Sequence, residues 1–220
     1  MIENINKYIE HTVLSAFATE ADVERVCAEA KEYGFASVCI NPMYVSKARE
    51  LLRGSGVNVC TVIGFPLGAN ATSTKVAEVE KAYADGCEEF DMVIAVGALK
   101  EGRLDYVKND IASVVAAAKG KTVKVIIETA YLTDEEKVTA CRLSSEAGAH
   151  FVKTCTGFST AKNAENKATV HDVKLMRASI PSHMKVKASA GIRSYEDAAA
   201  LIAAGADRLG TSAGVKIMQG

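Results

Sequence analysis

The feature that most constrains this chain is an alternation that runs through all 220 residues. Short apolar runs rich in β-branched residues are each followed by a longer amphipathic stretch of helical character. The strand candidates are 10–14, 36–40, 58–65, 89–95, 123–129, 151–156, 185–190 and 208–211. Helix starts are marked between them. Thr19-Glu20-Ala21-Asp22, Thr133-Asp134-Glu135-Glu136 and Ser194-Tyr195-Glu196-Asp197 each place an N-cap hydroxyl before acidic first-turn residues. Asn41-Pro42 opens another helix, with proline where a missing N–H costs nothing. Gly34, Gly86, Gly148 and Gly205 each stand just before a strand, where the left-handed helix C-cap favours glycine.

Strands that alternate with helices pair in parallel through right-handed crossovers. Two architectures compete. An open doubly wound sheet usually has fewer strands and a glycine-rich first turn, yet neither G-x-G-x-x-G nor G-x-x-x-x-G-K-[ST] occurs. Eight strands match a closed barrel, for which this length is near the short end of the roughly 200 to 400 residues usual. The expectation is an α/β fold: a single (β/α)8 TIM barrel spanning 1–220, with an N-terminal helical segment. The polar stretch 159–167, which holds Asn163 and Asn166, is expected as a loop.

Composition removes several function classes. Lys+Arg total 26 against Asp+Glu 27, a net charge of -1, which lacks the basic excess of a general nucleic-acid binder. Hydrophobic residues at 49% and charged residues at 24% exclude a disordered chain. The six cysteines, Cys27, Cys39, Cys60, Cys87, Cys141 and Cys155, form no C-x-x-C pair, and several lie in apolar runs. They read as buried, reduced thiols. Glu3, Lys7 and Glu10 interrupt any apolar signal region, and no run approaches a membrane span. A cytoplasmic protein with no membrane partner is expected.

In a barrel of this kind, chemistry gathers at the C-terminal ends of the strands. Four strand candidates carry conspicuous ionisable residues. Asp91 lies in Glu89-Phe90-Asp91-Met92, and Glu128 ends Val125-Ile126-Ile127-Glu128. Lys153 follows Phe151-Val152, and Lys187 ends Met184-Lys185-Val186-Lys187. Burying any of these charges unpaired would cost a large part of a domain's net stability, so each is paired, exposed at a strand end or functional. A salt-bridge network accounts for any one of them. Two lysines and an aspartate on strands four, six and seven together point to chemistry. Neighbouring ammonium groups repel, which eases deprotonation of one, and a neutral lysine adds to carbonyls to form a Schiff base. His11, His150, His171 and His183 are scattered without H-x-H or H-E-x-x-H spacing, so no metal is expected. No G-x-S-x-G elbow is present.

Two glycine-containing segments follow the last strands: Ala188-Ser189-Ala190-Gly191-Ile192-Arg193 and Gly210-Thr211-Ser212-Ala213-Gly214. Either alone could be a helix-capping turn. Loops after strands seven and eight commonly bind phosphate through backbone N–H groups, and their joint position favours that use.

The chain resembles the deoxyribose-phosphate aldolase family of class I aldolases nearly from end to end. The segments that carry the resemblance are Val38-Cys39-Ile40-Asn41-Pro42, Gly64-Phe65-Pro66-Leu67-Gly68, Asp91-Met92-Val93-Ile94, Val125-Ile126-Ile127-Glu128-Thr129, Phe151-Val152-Lys153-Thr154, Thr156-Gly157-Phe158 and Lys187-Ala188-Ser189. The resemblance implies a lyase that cleaves 2-deoxy-D-ribose 5-phosphate to acetaldehyde and D-glyceraldehyde 3-phosphate, with no cofactor. It implies Lys153 as the Schiff-base lysine, Lys187 as the lysine that perturbs it and Asp91 as their proton-relay partner. Thr156, Gly157, Gly191, Gly210 and Ser212 are expected to bind substrate phosphate. A homo-oligomer, dimer or tetramer, is compatible with it. The chain departs from the family pattern at Ser15-Ala16, where Lys-Pro is common, at Ala95, where Asn is usual, and at Ala190, where a second glycine is usual. A small insertion falls at 163–167. Ala190 is expected to end strand seven in extended geometry with negative φ. Two other readings stay open: an aldolase for a different sugar phosphate, and a non-catalytic sugar-phosphate binder on the same barrel.

Overall fold

A computed structural model describes residues 2–161 and 166–220. One 3-10 turn, Ile5–Tyr8, precedes the first strand and is the N-terminal helical segment. Eight strands follow: β1 Ile9–Val13, β2 Ser37–Ile40, β3 Asn58–Ile63, β4 Glu89–Val93, β5 Thr122–Ile126, β6 Phe151–Lys153, β7 Lys185–Ser189 and β8 Arg208–Thr211. All pair in parallel in sequence order, and β8 closes onto β1. The expected (β/α)8 barrel is present. Around it lie α1 Glu20–Tyr33, α2 Val45–Leu51, α3 Thr72–Ala84, α4 Val96–Lys100, α5 Leu104–Ala117, α6 Asp134–Glu146, α7 Val170–Ala178, α8 Tyr195–Ala203 and α9 Gly214–Gln219. None of these helices is long and apolar enough to cross a membrane.

Local chemistry accounts for the boundaries. Thr19, Thr133 and Ser194 each accept a hydrogen bond from the third residue of α1, α6 and α8, and the Asp or Glu there bonds back to the cap. The four pre-strand glycines all take positive φ. Several strands end sooner than their apolar runs suggest, because the chain must turn toward a helix. β3 stops at Gly64 (φ 60), β5 just before Glu128 (φ 56) and β7 at Ala190 (φ 76). The expectation for Ala190 is therefore corrected. It does not extend β7; with Gly191 (φ 75) it forms two successive left-handed residues. Alanine tolerates this at a cost of roughly 1–2 kcal/mol, and its carbonyl is held by the Ala168 N–H at 3.0 Å. Within the stretch expected as a loop at 159–167, residues 162–165 lie outside the described residues, as does most of the insertion. The remainder of that stretch is neither helix nor strand.

Alternate side chains on each strand face opposite ways. One set, including Ile9, Val38, Val59, Met92, Val125, Val152, Val186 and Leu209, joins the helices in a single apolar cluster. The other set faces the lumen, where the apolar patch is small: Cys39, Cys60 and Val62, with Leu14 and Phe65 against them. Much of the rest of the lumen is charged or polar, with the Phe151 ring among those groups. A buried pair outside the barrel supports β4. Lys75 of α3 donates to Asp110 of α5 at 2.6 Å and to the Val93 carbonyl at 3.0 Å. Gly64 makes room for it, since a Cβ there would lie 2.8 Å from Lys75 Cε.

Candidate active site

Strand register brings the sequence-chosen charges together. Lys153 on β6 is the direct partner of Lys187 on β7, and Asp91 on β4 is the partner of Lys124 on β5. All four side chains are buried. Asp91 is the hub. Its Oδ2 accepts from both Lys153 Nζ and Lys187 Nζ at 2.7 Å. Its Oδ1 accepts from Lys124 Nζ at 3.0 Å and from the Cys60 thiol at 3.3 Å. Both oxygens of a fully buried carboxylate are thus saturated by donors.

Three further lumen residues belong to this network, and the sequence reading did not single them out. Lys124 also donates to Glu89 Oε2 at 2.5 Å and Glu10 Oε2 at 3.2 Å. Lys187 donates to the same Glu10 oxygen. Glu89 is steadied by Asn58 Nδ2 at 2.9 Å. Arg208 approaches Glu10 Oε1 at 3.9 Å, an ion pair too long for a hydrogen bond. The signal was available: Lys124 stands in Val123-Lys124-Val125, as conspicuous within its strand as Asp91. Spacing along the chain does not show that strand register sets it beside Asp91.

The network fixes protonation states. Burial alone would push the Asp91 carboxyl up, but Lys124, Lys153 and Lys187 outweigh it and hold the group well below the usual carboxylate range. Burial alone would drive Lys187 down, but Asp91 and Glu10 outweigh it and hold the ammonium above the usual lysine range. Lys124 is raised for the same reason, against its own burial. Lys187 and Lys124 are therefore fixed cations, and Asp91 is a fixed anion.

Above this network opens a cavity of about 610 Å³. Lys153 lies on its wall together with Thr156, Gly157, Gly191, Gly210 and Ser212. Asp91 and Lys187 do not line it and lie buried below. The glycines have separate uses. Gly157 (φ 86) and Gly191 (φ 75) need the left-handed region. A Cβ on Gly191 would stand 2.5 Å from Lys167 Cβ, so a side chain there would disturb the loop as well as any ligand. At Gly210 a Cβ would lie 3.0 Å from both Lys187 Cε and Ser189 Cβ, so this glycine leaves room for the lysine stem.

Glu128, itself buried, braces the Thr156 turn on the cavity wall. Its Oε2 accepts from the Thr156 N–H at 3.1 Å and the Thr156 hydroxyl at 2.5 Å. The Thr156 oxygen in turn accepts from the Phe158 N–H at 2.9 Å. Both donors of Thr156 are thus engaged within the turn. Burial raises the Glu128 carboxyl above its usual value, partly offset by those Thr156 bonds. Among the described residues, three clusters have the donor types of a metal site: Cys39–Cys60–Asp91, Glu10–Cys60–Glu89 and Asp134–His171–Asp172. In each, the carboxylates already face lysines: Lys124, Lys153 or Lys187 in the lumen, and Lys137 beside Asp134 and Asp172.

Fold and site together define a closed eight-stranded parallel barrel with a buried lysine pair beside a cavity at one end. Residues 5–220 match the family model described as DeoC/LacD family aldolase. The chain is 57% identical over 216 residues to a deoxyribose-phosphate aldolase of Streptococcus suis, covering 98% of this chain and 96% of that one. It is 56% identical over 219 residues to a deoxyribose-phosphate aldolase of Caldanaerobacter subterraneus, covering 98% and 93%. A solved deoxyribose phosphate aldolase from Aeropyrum pernix, described as tetrameric, superposes with a TM-score of 0.89 at 35% identity, covering 98% and 89%. The chain belongs to the DeoC/LacD aldolase family.

Proposed function

We propose that this protein is a class I aldolase that reversibly cleaves 2-deoxy-D-ribose 5-phosphate to acetaldehyde and D-glyceraldehyde 3-phosphate through a Schiff base on Lys153. The observation that carries the reading is the placement of Lys153. Its ammonium shares one oxygen of Asp91 with a second lysine, and it borders the cavity.

The steps follow from these groups. Lys153, having lost a proton, adds to substrate C1, and loss of water gives an iminium. A base takes the proton of the C3 hydroxyl, and the O–H electron pair forms the new C3 carbonyl. The C2–C3 bond breaks, and its electrons pass into the C1–C2 bond and onto the nitrogen, giving an enamine. Glyceraldehyde 3-phosphate leaves. Protonation at C2 restores an iminium, which water hydrolyses to acetaldehyde and the free lysine. The Asp91 oxygen shared by the two lysines suits it to relay the proton that Lys153 gives up, while Lys187 keeps its own. A water held near Asp91 and Lys187 serves as the base.

The phosphate is met by backbone N–H groups around Gly157, Gly191, Gly210 and Ser212, with Thr156 holding the turn beside them. The whole chain, 1–220, acts as one domain. The same reading takes it as cytoplasmic, which six unpaired, buried thiols support. It also takes the enzyme as a homo-oligomer, in line with the tetrameric relative.

The test is reduction with borohydride in the presence of acetaldehyde, followed by peptide mapping. An ethyl adduct on Lys153 is expected, with cleavage of deoxyribose phosphate by the untreated enzyme. Lys153→Arg should show neither, because a guanidinium stays protonated and cannot add to a carbonyl. An adduct on Lys187 would reverse the two lysine roles. No adduct and no turnover would favour a non-catalytic binder.

A further inference from the structure

We propose that Lys124 is a positioning residue for this chemistry: it grips Asp91 from the side away from the cavity, and the charge cage it completes with Glu10 and Glu89 sets the pH range in which Lys153 acts as a nucleophile. The proposal rests on the Schiff-base reading above.

The first argument is geometric. Asp91 must present one oxygen to two lysines at once, and a carboxylate turns easily about its terminal bond. Lys124 and Cys60 take Oδ1, which leaves Oδ2 to Lys153 and Lys187. Lys124 is itself fixed at three carboxylates, at 2.5 Å, 3.0 Å and 3.2 Å, so it is a rigid anchor. It reaches Asp91 from the neighbouring strand at the same level of the barrel.

The second argument is charge balance. The buried carboxylates of the cage are Glu10 from β1 and Glu89 and Asp91 from β4; the buried ammoniums are Lys124 from β5, Lys153 from β6 and Lys187 from β7. Other groups also face the cage. Cys39 and Cys60 stand on β2 and β3, Phe151 on β6 lies 5.9 Å from Lys124 Nζ, and Glu128 lies beyond the end of β5. Arg208 on β8 and Lys185 on β7 stand toward solvent at the other end. Three anions balance three cations only while Lys153 is charged. A free amine at Lys153 breaks the balance, and an iminium on the same nitrogen restores it. The cage therefore favours the covalent intermediate over the free amine, which is the direction catalysis needs.

Removing Lys124 leaves three carboxylates facing two ammoniums. Lys153 should then hold its proton more tightly, and the acid limb of activity should move to higher pH. Neutralising Glu89 should move it the opposite way. Glu89 bonds Asn58 and Lys124, not either lysine of the proposed mechanism, so its effect runs through the cage.

The test is the pH profile of kcat/KM, and of borohydride trapping with acetaldehyde, for the intact enzyme and for Lys124→Met, Glu89→Gln and the double variant. Lys124→Met should raise the acid limb by about one pH unit or more, with kcat near pH 7 falling more than KM changes. Glu89→Gln should lower the limb. The double variant should return toward the parent. A Lys124→Met profile that keeps the parent limb, or a double variant that does not return, would overturn the proposal; a merely structural lysine would reduce active enzyme equally at every pH. If Lys124→Met does not fold, Glu89→Gln decides, and an unshifted limb there overturns it. Failure of the unmodified enzyme to trap acetaldehyde on Lys153 would instead overturn the Schiff-base reading, so the two failures are distinct.

Discussion

Asp91 and Met92 are neighbours on β4, and both are fully buried, yet they sit in different surroundings. Met92 faces outward into the apolar cluster between strands and helices. Asp91 faces inward and accepts hydrogen bonds from three lysines and a thiol. The outer face is stabilised by removal of apolar area from water, about 25 cal/mol per Å2. It is tolerant of similar shapes. The lumen gains little from its ion pairs, since desolvation of the charges offsets most of their attraction. What the lumen gains is a set of fixed protonation states. One strand thus carries the apolar core on one side and the proposed chemistry on the other, and substitutions on the two sides should fail differently.

The largest effect belongs to Asp91→Leu. It strips one oxygen from Lys153 and Lys187 and the other from Lys124, so turnover should be nearly absent even where the protein folds. Breaking a buried ion network also costs roughly 3–5 kcal/mol, to be read as a fall in Tm. The sign with pH follows from the lowered Asp91 carboxyl. Its stabilisation is present above the unfolded value of about 3.9 and is lost as pH falls through the folded value. The Tm gap between parent and variant should therefore be wide at neutral pH and narrow only in strong acid. Normal rates in this variant would remove Asp91 from the mechanism.

Lys187→Leu should come next. It removes a fixed cation beside Lys153, so Lys153 should lose its proton less readily. Activity should be low at neutral pH and recover partly in alkali. Turnover near the parent level at pH 7 would separate Lys187 from the chemistry. In the parent, the raised Lys187 contributes stability that is complete below the unfolded lysine value of about 10.4 and is lost as pH rises through the folded value. The alkaline assay of the variant is thus best compared with the parent below that range.

Gly210→Ala tests the lumen more finely. The φ of Gly210 lies outside the left-handed region, so alanine meets no backbone strain there. Its methyl would instead press on Lys187 Cε and Ser189 Cβ. A small displacement of the lysine should lower kcat by roughly 10- to 100-fold, with little change in Tm. An unchanged kcat would mean that Lys187 does not need its present place.

The same contrast explains what could be read from the sequence. The outer face announces itself, because apolar residues recurring between capped helices have few arrangements open to them. The eight strands, the caps at Thr19, Thr133 and Ser194 and the glycine turns were all legible. Lys153, Lys187 and Asp91 stood out as charges within apolar runs. Lys124, Glu89 and Glu10 carry the same signal, but their use depends on register across the barrel, which spacing along the chain does not reveal. Glu10 meets Lys187 across 177 positions of sequence. The left-handed turn at Ala190 was not legible either, since alanine rarely takes that conformation and its bond from the Ala168 N–H forms only in the folded loop.

The smallest effect on catalysis should come from Met92→Ala, one residue away from the largest. Met92 belongs to the apolar cluster, with no exposed surface. Truncation removes its buried area and leaves a cavity, which typically costs about 2–5 kcal/mol. Tm should therefore fall about as far as for Asp91→Leu. The lumen, however, is separated from this side chain by the strand backbone, whose ladder to β3 and β5 is intact. At a temperature where the variant is folded, kcat, the acid limb of the pH profile and the trapping of acetaldehyde should match the parent. A shifted acid limb in Met92→Ala would show that the two faces of β4 are coupled, and the division between a fold side and a chemistry side would have to be abandoned.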